Sequence, residues 1–165
     1  MSHGRIFIIA ARDSLQEDNH YCPFDEVTMK DWIPGCDYVC RQDNLDDFKN
    51  DLEWLAKSAN TKIKTVSLIV NGEEILTGVF DNEFKNALTN ALTKEKQQRL
   101  QTVRDEINKE NPDMWQIAHT AYNDNCCYFA FMPDMSFENE MGTVDSLKNK
   151  IKTMCYIIET YDYHT

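Results

Sequence analysis

Two residues, Asn71 and Gly72, restrict the fold more than any others in this chain. They separate TVSLIV from EEILTGVF, two runs rich in apolar and β-branched residues. A two-residue connection between such runs forms a type I′ hairpin, because both turn positions need positive φ and Asn and Gly tolerate it. Alternation along the runs puts Val66, Leu68, Val70 and Ile75 on one face and Ile69, Leu76 and Phe80 on the other. With apolar groups on both faces, the hairpin is expected inside a sheet covered on both sides.

Other elements follow from patterning. Arg5–Ala11 is apolar at odd and even positions alike, which predicts a central strand, and Cys126–Met132, ended by Pro133, reads the same way. Asn44 is a good helix cap, with Asp46 and Asp47 where the helix dipole favours anions. Leu45, Phe48, Leu52, Leu55 and Ala59 then recur at helical spacing. Asp81 caps a longer helix striped by Phe84, Leu88, Leu92, Leu100, Val103 and Ile107, in which the polar stretch Thr93–Gln98 predicts a break or an overhang. Asn111-Pro112-Asp113 restarts the helix, with Asn as cap and Pro in the first position. Thr143 is expected to cap a final helix carrying Val144, Leu147, Ile151, Met154, Cys155 and Ile158.

The resulting order, β-α-β-β-α-β with extra C-terminal helices, predicts a single α+β domain over residues 1–165 with a split βαβ, ferredoxin-like mixed or antiparallel sheet. A long acidic insertion, residues 12–43, follows the first strand. A three-layer α/β/α arrangement is the alternative, since the strands are two-faced.

Charge is distributed unevenly. The chain carries a net charge of −11. Between Asp13 and Glu53, twelve acids less three bases (Lys30, Arg41 and Lys49) leave −9. Free nucleic acid and anionic membrane surfaces are repelled by such a domain, and basic proteins are attracted. No stretch is apolar over the roughly 18 residues a membrane span needs. The opening MSHGRIFIIAARD lacks a basic n-region, so it reads as mature structure, and six cysteines without a leader point to reduced thiols and a cytoplasmic protein.

Motifs for common chemistry are absent: no GxxxxGK[ST], GxGxxG, GxSxG or HExxH occurs. His20, Cys22, Cys36 and Cys40 form the one zinc-like set, but C-x₃-C lacks the tight knuckle spacing. Tyr38 and Val39 favour a strand, on which Cys36 and Cys40 would lie about 13 Å apart. Cys36, Tyr38 and Cys40 are therefore expected on the inner face of that strand, with Asp37, Val39 and Arg41 outside. His119, one turn from Trp115, reads as a partly buried packing residue, and His3 and His164 as disordered terminal ones. Asp13, Asp18, Asp25 and Glu26 resemble a Mg²⁺ set, but only Arg12 stands by to hold a phosphate.

No catalytic residue, metal ligand or cofactor is therefore expected. In composition the chain resembles immunity proteins and phage-encoded inhibitors of host defence, small acidic proteins that bind basic nucleases. The sequence points to an inhibitor or regulator of a basic, nucleic-acid-processing partner. Its binding surface is expected to comprise Glu17, Asp18, Tyr21, Phe24, Asp25, Glu26, Asp31, Trp32, Asp43, Asp46 and Asp47, acids interleaved with aromatic anchors. A small metal-dependent phosphoryl-transfer or hydrolytic enzyme is the alternative, and a phage structural or accessory protein a further one.

Overall fold

The computed structural model describes residues 3–15, 24–122, 127–132, 136–149 and 154–165. Among them, seven strands form one mixed sheet. At its centre β1 (His3–Ala11) runs parallel to β5 (Cys127–Phe131) on one side and antiparallel to β7 (Cys155–His164) on the other. The far edge of β7 is shared end to end: β4 (Glu73–Phe80) pairs with its first residues and β2 (Tyr38–Arg41) with its last. Outermost are β3 (Lys64–Val70), beside β4, and β6 (Ser136–Asn139), beside β5.

Both faces of the sheet are covered, as the two-sided apolar character of β1 and β5 requires. On one face α2 (Leu45–Ser58), α3 (Asn82–Ile107) and α5 (Glu140–Asn149) pack Phe48, Leu52, Phe84, Leu88 and Leu147 against Phe7, Ile9, Phe129 and Ile157. On the other, a 3₁₀ turn at Asp13–Leu15 and the short α1 (Glu26–Trp32) lay Leu15, Phe24, Met29 and Ile33 over Ile6, Ile8, Ala130 and Tyr161. The fold is α+β, with helices on both sides of a sheet larger than the expected four strands.

Local signals in the first two-thirds of the chain hold. Asn44 and Asp81 cap α2 and α3 with their side chains, accepting from Asp46 N and Phe84 N at 2.9 Å each. Asn71 and Gly72 take φ of 51° and 82°, the type I′ turn. Across the polar stretch Thr93–Gln98 α3 is continuous, and its far end leaves Leu100 and Ile107 exposed as an overhang onto which α4 (Met114–Tyr122) folds back.

Several expectations are corrected. The hairpin is at the sheet margin, not inside it: β3 is an edge strand and Ile69 is 70% exposed. The cap of α4 is Asp113, whose Oδ1 accepts from the amides of Trp115 and Gln116, so the helix begins two residues later than Asn111-Pro112 implies. The final helix ends at Asn149, and Cys155–His164 is the longest strand of the sheet. Residues 12–43 are not one long loop, since α1 and β2 lie within them. Nor does the sheet follow the split βαβ order, because β7 separates β1 from the hairpin.

Candidate functional site

The late strand creates a cluster that terminal histidines alone do not suggest. His164 is directly opposite His3 on β1 and directly opposite Tyr38 on β2. Directly opposed residues in antiparallel strands share a face, so three rings line up across three strands. Tyr38 stacks on His164 with centroids 5.5 Å apart and planes 7° apart, and His3 meets His164 edge-on at 5.1 Å. Two residues along, Arg5, Asp162 and Cys40 form a second row on the same face.

Carboxylates fix these rings. Asp37 Oδ1 is 2.7 Å from His164 Nδ1, and a carboxylate only accepts, so that nitrogen carries its proton. The Tyr38 hydroxyl donates to Asp162 Oδ2 at 2.9 Å, and His3 Nδ1 lies 3.2 Å from the same oxygen. The bond from His164 holds the Asp37 carboxyl below the usual carboxylate range, while the bond to Asp162 pushes the Tyr38 phenol up. Anchoring at Nδ1 leaves Nε2 as the basic nitrogen of His164.

Beside these rows a groove of about 260 Å³ opens between the sheet and α2, lined by His3, Arg5, Gln42, Asp47, Asn50, Asp51 and Asp162. Its one guanidinium is already engaged: Arg5 Nε donates to Asp51 Oδ1 at 2.7 Å, and the Arg5 head lies 4.6 Å above the Trp54 ring. Asp51 is buried, and its second oxygen has no hydrogen-bond partner among the described residues. Asp47 and Asp162 therefore give the groove mouth a negative balance, with His3 beside Asp162 its other basic lining residue.

The residues expected to bind a partner separate into groups. Asp43, Asp46 and Asp47 are exposed around the start of α2, beside the groove, and Leu45 is exposed among them. Asp25, Glu26, Asp31 and Trp32 belong to α1, which covers the opposite face of the sheet. There Asp25 is the N-cap of α1, its carboxyl lowered by the bond it accepts from the Thr28 amide. Glu26 Oε1 accepts from Arg41 N at 2.8 Å, blunting the edge of β2. Asp31 is exposed and makes no hydrogen bond or ion pair among the described residues, and Trp32 is 46% exposed while resting on Phe24 and Phe137. Phe24 itself is a core residue, only 2% exposed, and anchors α1 rather than a partner. Glu17, Asp18 and Tyr21 lie outside the described residues, as do His20 and Cys22 of the zinc-like set.

In GCDYVC the strand is present but faces the other way. Val39 is buried, whereas Tyr38 and Cys40 are exposed and Cys36 half-buried. Pairing with the end of β7 decides this, because Val39 is opposite the buried Tyr163 and must share its face. Burial pushes the Cys36 thiol up. His119 is half-buried and stacks on Trp115 at 4.8 Å, on the exposed side of α4. Among the described residues no group of three or more His, Cys, Asp and Glu side chains is placed to hold a metal ion, and no helix is long and apolar enough to cross a membrane.

No protein-family model matches the chain, and comparison with curated proteins and with solved structures finds no significant match.

Proposed function

We propose that this chain binds a basic protein, and inhibits or regulates it, through the acidic rim formed by the start of α2, the edge of β2 and the groove beside them. The supporting observation is the disposition of charge: of the ten carboxylates described between Asp13 and Glu53, nine are exposed and only Asp51 is buried against an arginine. Exposed apolar groups sit among them, Tyr38 and Leu45 at the rim and Val27 and Trp32 on α1. Anchors surrounded by charge are the composition of a steered protein interface. A basic, nucleic-acid-processing protein is the partner class whose own surface carries the complementary field. A lysine or arginine of that partner fits the groove between Asp47 and Asp162.

The test separates surface-building from surface-presenting carboxylates. Asp25 and Glu26 have backbone bonds to satisfy, so their reversal would confound folding with binding. Asp43 and Asp47, both at the rim, are exposed and among the described residues accept no backbone bond, Asp43 facing only the Arg41 guanidinium at 3.4 Å. Replacing these two with lysine should weaken binding to a purified basic partner from the native host by at least tenfold at low salt. Unchanged affinity refutes the reading.

One observation favours a second reading. Two imidazoles in contact, each with a carboxylate at Nδ1, are equipped for proton transfer. A hydrolytic activity lost in His3→Ala and His164→Ala, with partner affinity intact, would support it.

A further inference from the structure

We infer that the chain forms a two-fold dimer by antiparallel pairing of β3 with β3 of a second copy. Seven residues of β3 pair with β4 one-to-one without a bulge, and among the described residues nothing pairs with the other edge. The two-residue turn fixes which backbone groups that edge presents. Val70 and Glu73 flank it and exchange ladder bonds, so even-numbered residues of β3 point their N–H and C=O at β4. Thr65, Ser67 and Ile69 therefore point theirs outward.

Native edge strands are normally blunted by proline, a bulge, an inward charge or a covering element. Among the described residues, 65–70 have none of these, and Val66 and Ile69 are exposed apolar groups on opposite faces of the strand. The only charge in β3 is Lys64 at its beginning, held by Asp81 at 3.1 Å and Glu83 at 3.7 Å.

The occupant is identified by self-complementarity. An antiparallel register centred on Ser67 sets Thr65 opposite the second copy's Ile69, and Ser67 opposite its own counterpart. All three outward-facing residues on each strand then sit in hydrogen-bonded positions. On the alternate face Val66 meets Leu68. No charge opposes another, so the −11 carried by each chain does not repel along this seam. Lys64 falls opposite the second copy's Val70, in the same row and on the same face as that copy's Glu73, since Val70 and Glu73 are directly opposed on neighbouring strands. Opposite charges thus flank the seam at both ends. A two-fold axis through Ser67 closes the pair, so the β3 seam itself cannot propagate a filament.

Sedimentation equilibrium of the full chain, up to about 100 μM, tests the inference. The parent should sediment at twice the chain mass of 19.3 kDa. Ser67→Pro removes an outward N–H that β4 does not use, and Ile69→Lys places a like charge in each half of the seam. Both should sediment as monomers with the parent's circular dichroism. A monomeric parent at the highest concentration overturns the inference, as does a dimer that survives Ile69→Lys in a folded variant.

Discussion

Gly4→Ala isolates the packing that carries the histidine cluster. Gly4 is directly opposite Tyr163, whose ring lies across it. A Cβ at position 4 would sit 2.2 Å from Tyr163 Cζ and 2.4 Å from its hydroxyl oxygen. A flexible exposed ring would swing clear at little cost, but Tyr163 is buried and packs edge-on against Tyr128 at 5.5 Å. Overpacking of this kind costs about 1–3 kcal/mol, and removing a strand glycine returns about 0.5–1 kcal/mol. A net loss of up to about 2.5 kcal/mol remains, a fall in Tm of up to about 10 °C for a domain of this length. The assay is thermal unfolding of a double-mutant cycle. With Tyr163→Leu, which removes the ring while keeping apolar volume, Gly4→Ala should become neutral or stabilising. If Gly4→Ala destabilises equally in both backgrounds, or in neither, the ring is not what occupies that space.

Other positions give sharp expectations. Asp81→Ala removes the α3 cap and should cost about 1 kcal/mol at neutral pH by urea unfolding. The Phe84 amide and then Lys64 hold the Asp81 carboxyl below its ordinary value. Its contribution is therefore fully present above the unfolded pKa near ~3.9 and is lost as pH falls through the folded one, so parent and variant should converge in acid. The same sign applies to Asp37 with His164: Asp37→Asn should flatten the acid limb of the stability profile below about pH 4. Gly72→Val places a β-branched residue at φ 82° and should cost at least about 1–2 kcal/mol, while Asn71→Gly is tolerated. Glu106 is held below the usual carboxylate range by Lys109 and accepts from the Asp113 amide at 3.0 Å. Glu106→Ala should therefore speed hydrogen exchange at Asp113 and across α4.

What the sequence discloses depends on whether a signal is local. The Asn71-Gly72 turn, the Asn44 and Asp81 caps and the apolar runs of β1 and β5 act within a few residues, and each is where the pattern puts it. The missed strand shows the opposite case. Ile151, Met154, Cys155 and Ile158 fall at helical spacing, yet Cys155 begins β7. A register shift opposite Ile8 and Ile9 skips Ile158 and interrupts the alternation that would have marked a strand. With β7 unread, His3, Asp162 and His164 had no reason to meet, because their proximity is set by pairing across nearly the whole chain. The inverted faces of β2 have the same origin: Tyr38 and Cys40 look outward only because Val39 has to meet Tyr163. For the hairpin, apolar content on both faces predicts cover on both sides, whereas β3 carries such residues exposed at the sheet edge.

The central claim, that the acidic rim recognises a basic protein, is tested most directly by the association rate constant as a function of ionic strength. Between ~0.01 and ~0.15 M salt the screening length falls from about 30 to about 8 Å. Association of the parent with its purified partner should slow by at least tenfold over that range. The Asp43→Lys, Asp47→Lys variant should start slower and respond weakly to salt, while Leu45→Ala, which removes an exposed apolar group at the rim, should hasten dissociation and leave association unchanged. A parent association rate that is independent of salt would contradict the account.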